Sequence, residues 1–333
     1  MDLLTIQAIL VIVAAMGFNY TNGFHDAANA IATSVSTRAL SPRAALALAA
    51  VGNFVGAHLG VKVAETVGSG IVSLPQTSSA LAVVFGGVMG AIIWNLITWW
   101  FGLPSSSSHA LIGGLVGATL VGGYEVLWNG ILSSVVIPMV LSPIVGVVLG
   151  FIVMTAIMWI FRNGNPRRLG KGFRVAQTIS AGAMALGHGM QDAAKTMGIV
   201  VLGLYLGGLQ DSPKHIPEWV FIVSALVLAA GTFAGGWRII KTLGRRVIDL
   251  GPPEGFAAET VASSVLYGSA ALGAPISTTH TITSAIMGVG ATKGFAAVRW
   301  GVAGNIVGAW VLTFPAAGGV AALIYLIANP LFS

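Results

Sequence analysis

Asn22-Gly23-Phe24-His25-Asp26-Ala27-Ala28-Asn29 returns later in the chain as His188-Gly189-Met190-Gln191-Asp192-Ala193-Ala194-Lys195. A second stretch behaves the same way: Pro104-Ser105-Ser106-Ser107-Ser108-His109 comes back as Pro275-Ile276-Ser277-Thr278-Thr279-His280. Order is kept and so is separation, since Asp26 precedes Pro104 by 78 residues and Asp192 precedes Pro275 by 83. Two motifs repeated in order at near-equal spacing mark an internal duplication.

The surroundings of these motifs are apolar. The 333 residues are 56% hydrophobic and 8% charged, with a mean hydropathy of +0.88. An ordinary soluble domain carries about 25% charged residues, so a soluble protein is excluded. Apolar runs at 3–18, 44–60, 80–101, 135–161 and 220–237 approach or exceed the roughly 20 residues that cross a bilayer. The 45 glycines suit close packing of membrane helices. The net charge of +6 does not point to nucleic acid, because the basic residues sit in short segments between apolar runs. Arg162, Arg167, Arg168, Lys171 and Arg174 form one cluster; Arg238, Lys241, Arg245 and Arg246 form another. Such clusters mark the cytoplasmic side. With no cysteine, disulfides, thiolate metal sites and cysteine nucleophiles are excluded. Asp2 stands before the first apolar run with no basic residue, so that run is expected to be a retained helix and not a signal peptide.

With the basic segments inside, hydropathy predicts about ten crossings and both termini outside. Residues 257–291 lack a long apolar run; they form either two spans or a re-entrant hairpin, with the same parity. The first Asp motif is then met going inward and the second going outward. The expected fold is all-α: a polytopic transmembrane helix bundle with an inverted-topology repeat and broken or re-entrant helices. Its divisions are a first membrane repeat at 1–161, a basic cytoplasmic loop at 162–174 and a second, inverted repeat at 175–333.

Asn22, Asp26 and Asn29 fall at i, i+4 and i+7, one face of a helix, and His188, Asp192 and Lys195 repeat that spacing. A carboxylate at membrane depth costs about 2.5–3.5 kcal/mol or more, so it needs a partner, a cation or a proton. Asp192 and Lys195 could be no more than a structural ion pair, but duplication favours function. Pro104 and Pro275 interrupt any preceding helix, and Ser105, Ser106, Ser107, Ser277, Thr278 and Thr279 supply N-caps and hydroxyl donors to the helix that follows. Such a helix start suits an anion; plain capping is the alternative. An Asp beside an oxyanion accepts from P–OH, which phosphate has at neutral pH and sulfate lacks, so phosphate is favoured over sulfate. His25, His109, His188 and His280 lie in or beside the motifs as ligands, proton carriers or caps. No His pair has a recognisable metal-ligand spacing, and metal binding stays open. No Walker A, Rossmann or nucleophile-elbow pattern is present, so no enzyme is expected.

At these residues the chain resembles the PiT family of inorganic phosphate transporters, over essentially its whole length. Asn22 to Thr33 is similar to the first copy of the family's Asp motif, and His188 to Gly198 to the bacterial form of the second. His25 and Gln191 stand where the family has Asn. The resemblance implies secondary import of phosphate with a proton or sodium ion and no cofactor, in the cytoplasmic membrane of a prokaryote. It also implies that some relatives carry sulfate and bacterial ones metal–phosphate complexes. Expected partners are phosphate and the lipid bilayer, with room for a homo-oligomer. Asn22, Asp26, Asn29, Ser105–Ser107, His188, Asp192 and Ser277–Thr279 are the expected substrate residues. Asp26, Asp192, Lys195, His109 and His280 are the expected cation or proton residues. Lys195, standing where the first copy has Asn29, acts as a tethered positive charge and tips the expectation toward protons. A sulfate permease and a passive anion channel remain as alternatives; fixed carboxylates argue against the channel.

Overall fold

Pro and polar N-caps set where the helices begin. A computed structural model describes residues 2–332. The first helix, α1 (Leu3–Ser36), is capped by Asp2, whose side chain accepts from the Thr5 amide at 3.0 Å. It is followed by α2 (Pro42–Ala57), with Ser41 as N-cap and Pro42 in its first turn, and α3 (Val61–Ser69). Next come α4 (Ser78–Phe101) and α5 (Ser107–Val121). The short α6 (Trp128–Ile131), a π-turn (Leu132–Val136) and α7 (Ile137–Ile160) run on as one 33-residue helix. The second half repeats this order with α8 (Pro166–Leu206), α9 (Glu218–Ala234), α10 (Trp237–Arg245), α11 (Pro252–Ala271), α12 (Thr278–Ala291) and α13 (Trp300–Phe332). Strands β1 (Val72–Ser73) and β2 (Glu125–Val126) form one small antiparallel pair.

Each half is thus a long helix, a bent pair, a helical hairpin and a second long helix. The bends are 69° between α2 and α3 and 70° between α9 and α10. Four helices are long and apolar enough to span a bilayer, and six spans result if each bent pair counts as one. About ten crossings were expected. Part of the fall comes from 109–122, a short and largely interior arm: α5 has 15 residues and pairs with α4 through a tight turn at Gly102, which adopts φ +66°. The segment 257–291 folds the same way, as α11 and α12 joined through Gly273 at φ +71°. The basic stretch 162–174 is irregular only up to Asn165, which caps α8; Pro166 already starts that helix.

The halves interlock. α2 packs on α8, α9 on α1, the α4–α5 hairpin on α13 and the α11–α12 hairpin on α7. Small residues permit this closeness: on α7 the buried stripe is Ser142, Gly146, Gly150 and Met154, facing α12, while Ile144, Val148 and Ile152 face outward. Each bent pair also fastens to the other half's hairpin turn. Lys62 Nζ donates to the Ala271 carbonyl at 3.0 Å and Thr66 Oγ1 to the Gly273 carbonyl at 2.8 Å. In the second half Arg238 Nη1 donates to the Trp100 carbonyl at 2.5 Å and Thr242 Oγ1 to the Gly102 carbonyl at 2.9 Å.

Candidate substrate and cation site

The two Asp motifs lie within α1 and α8, about 15 Å and 21 Å from the C-terminal ends of those helices at 1.5 Å per residue. Glycines bring them together with their neighbours: a Cβ on Gly23 would lie 2.6 Å from the Leu228 carbonyl oxygen, and one on Gly189 would lie 2.4 Å from that of Asn53. The two proline-containing turns deliver the hydroxyl clusters to the same place. Ser106 and Ser277 cap α5 and α12, accepting from the His109 and His280 amides at 3.2 and 3.1 Å. Both helix starts therefore keep their remaining N–H groups near one interior point.

Asp26 accepts from Ser107 Oγ at 2.5 Å and from Thr279 Oγ1 at 3.4 Å, and His25 Nδ1 lies 2.7 Å from it. Asn29 Nδ2 donates to Thr279 and Thr278 at 2.8 and 3.1 Å. In the second copy Lys195 replaces Asn29 and donates to Asp192 at 2.9 Å, to Ser108 Oγ, and to the Ile276 carbonyl at 3.2 Å. His188 Nε2 lies 3.0 Å from the other Asp192 oxygen. Every one of these side chains is buried. Asp26, His188 and Asp192 each offer a ligand atom within 4.8 Å of the others, a set that suits a cation as substrate.

The expected residues divide in the structure. Asp26, Asn29, Ser107, Thr278 and Thr279 form one connected cluster, and His188, Asp192, Lys195 and Ser108 another beside it. Ser105 turns away, donating to Thr98 at 2.8 Å. His109 and His280 pair edge to face across the two hairpins, ring centroids 4.6 Å apart, with His280 stacked on Trp310 at 3.9 Å. Both amide atoms of Asn22 and all ring nitrogens of His109 and His280 lack a hydrogen-bond partner among the described residues. Buried polar groups in that state fit a site that binds a polar solute.

The residues just before each Asp anchor the hairpins. His25 Nε2 is 3.0 Å from Thr98 Oγ1 on α4, and Gln191 Nε2 donates to Ser269 on α11 at 2.9 Å. Asn53 was missed: it is 2.9 Å from His188 Nδ1 and donates to Thr232 at 2.8 Å, linking the two bent pairs. Glu259 was missed as well. Fully buried on α11, it accepts from Thr33 and Ser180 at 2.5 Å and from Gln177 at 3.1 Å, with no ion pair to it among the described residues. A Glu in the Ala- and Ser-rich interior of a membrane helix was the available signal.

An interlocked inverted repeat with ionisable groups at the crossing of two broken hairpins defines a membrane transporter. The sequence model of the phosphate transporter family matches the chain twice, over residues 22–169 and 161–321. A protein of Rhizobium meliloti (strain 1021), described as a probable low-affinity inorganic phosphate transporter, is 47% identical over 326 residues, covering 96% of each chain. A protein of Bacillus subtilis (strain 168) with the same description is 41% identical over 333 residues, covering 100% of both. A solved structure described as "The sodium-dependent phosphate transporter" superposes with a TM-score of 0.89 at 23% identity, covering 98% of this chain and 99% of that one, which establishes a shared fold. The chain belongs to the phosphate transporter family, the family its motifs resemble, and this is a family of transporters and not of enzymes.

Proposed function

We infer that the chain imports inorganic phosphate together with a coupled cation, a proton in preference to sodium, with both termini on the outer face of the membrane. One observation carries the substrate: both carboxylates and both hydroxyl-bearing helix starts meet in a single buried place. Hydroxyl and N–H donors hold an oxyanion, and a carboxylate accepts the P–OH proton. Asn22, Asp26, Asn29, Ser107, His188, Asp192, Thr278 and Thr279 contact the substrate in this reading, while Ser105, Ser106 and Ser277 shape the turns. The names of the Rhizobium and Bacillus relatives agree with it.

Coupling follows from charge. Asp26, Asp192 and Lys195 sum to one negative charge with histidines neutral, so bringing in an anion at low dielectric requires another positive charge. Lys195 takes the place Asn29 holds in the first copy, so a tethered ammonium already serves one cation position. Protons on the neighbouring histidines supply the rest. A second reading, sodium coupling, is favoured by the Asp26–His188–Asp192 ligand set and by the sodium-dependent protein of the same fold. That ligand set would equally receive the metal of a metal–phosphate complex. Proteoliposomes with labelled phosphate separate these readings. An inward proton gradient without sodium should drive accumulation; a strict need for a sodium gradient would overturn the proton reading, and uptake down a phosphate gradient only would overturn coupling altogether.

A further inference from the structure

The two helices that fasten the hairpin turns are equivalent, yet their charges differ. On α3, Lys62 and Thr66 make the contact and Glu65 stands exposed between them. On α10, Arg238 and Thr242 make it, and Lys241 stands where α3 has Glu65. Arg245 and Arg246 follow immediately. Among the described residues no carboxylate pairs with any of these four basic side chains. The symmetry of the fold is kept here while its charge balance is given up.

A cavity of about 340 Å³ opens at this place, between Trp100 and Phe101 at the end of α4 and Arg238, Lys241 and Arg246. A second cavity of about 380 Å³ shares Lys241 and continues along Ala32, Val35, Trp237 and Ile240. The rim is apolar and open: Trp100 is 61% and Phe101 70% exposed. The Arg238 guanidinium is held over the Trp100 and Trp99 rings, 4.4 and 5.2 Å from their centroids, so it is oriented before any ligand arrives. Exposed aromatics with basic side chains are the signature of the headgroup level of a bilayer, and basic pockets between spans take anionic headgroups. A free inorganic ion would gain nothing from the Trp100–Phe101 rim.

We propose that the adjoining cavities flanking α10 bind an anionic phospholipid. Its phosphate sits among Arg238, Lys241 and Arg246, and its glycerol and upper acyl chain lie along Val35, Trp237 and Ile240. Arg238 and Thr242 also hold the Trp100 and Gly102 carbonyls, and that turn carries Ser107 to Asp26. The lipid therefore rests on the support of the transport site, and headgroup charge tunes the rate of uptake.

The test uses the purified full chain in detergent, exchanged against an equal mixture of phosphatidylglycerol and phosphatidylcholine and examined by native mass spectrometry. The wild type should retain phosphatidylglycerol selectively. Lys241→Gln and Arg246→Gln should each lower that retention about fivefold, the worth of one basic residue at a membrane surface, and Lys241→Arg should preserve it. Neither Lys241 nor Arg246 makes a side-chain hydrogen bond among the described residues, so melting temperature without added lipid should be unchanged. Equal retention of the two lipids, or undiminished retention by both neutralised variants, overturns the proposal. Displacement of phosphatidylglycerol by millimolar inorganic phosphate also overturns it, because the site would then serve a free ion.

Discussion

Asp26 and Asp192 are equally buried but differently served: hydroxyls and His25 face the first, while an ammonium and His188 face the second. Each carboxylate is expected to be indispensable. Asp26→Asn and Asp192→Asn should each reduce phosphate accumulation in proteoliposomes to the level of empty vesicles while eluting as folded protein on size exclusion. Wild-type uptake by either would sink the assignment of these side chains to the site. Lys195 is tied to Asp192, Ser108 and the Ile276 carbonyl, and removing one member of a buried ion pair costs about 3–5 kcal/mol. Lys195→Asn should lower the melting temperature and weaken proton-driven uptake, and adding Asp192→Asn should recover part of the stability. No recovery in the double variant would show that the two are not coupled. With Asp26 and Asp192 proposed as acceptors for P–OH, a hundredfold or so excess of sulfate should compete weakly with labelled phosphate. Competition by sulfate equal to that by unlabelled phosphate would refute the acceptor argument.

At the scale of elements, backbone contacts hold the hairpins. A Cβ on Gly117 of α5 would lie 2.2 Å from the Gly318 carbonyl oxygen on α13, whereas one on Gly304 of α13 would meet nothing within 4 Å. Gly117→Ala should therefore cost about 1–3 kcal/mol through overpacking, read as a lower melting temperature in detergent, and Gly304→Ala should leave it unchanged. Equal effects would mean that close approach of α5 and α13 does not support the hairpin. The hairpins were also where hydropathy misled. α4 and α5 are apolar enough to suggest separate spans, but α5, with 15 residues, is short and largely interior. An apolar residue buried against protein and one facing lipid look alike in sequence.

For the molecule as a whole, orientation is open to direct test because the chain has no native cysteine. Ser212→Cys lies between α8 and α9, and Gly164→Cys lies before α8. An impermeant maleimide should label the first in intact cells and the second only after permeabilisation; the reverse pattern would invert the proposed topology. The interlocking of the halves means that neither repeat buries its own site. α1 meets α9, α8 meets α2, and Asp26 takes a hydroxyl from each hairpin.

Hydropathy, charge placement and the duplicated motifs were enough, by themselves, to determine a membrane transporter with an inverted repeat, and to single out Asp26, Asp192, Asn29, Lys195 and the hydroxyl clusters. These signals are local: an apolar run, a charge within it and a motif are all legible along a single stretch of chain. Tertiary structure alone decided that Ser107 and Thr279 serve Asp26, that Ser108 serves Lys195, and that Ser105 turns to Thr98. It alone placed Asn53 beside His188 and buried Glu259 among Thr33, Gln177 and Ser180. Each of those partnerships joins residues far apart in sequence. They are set by which small side chains let two helices touch, and that is a property of the pair of helices, not of either alone.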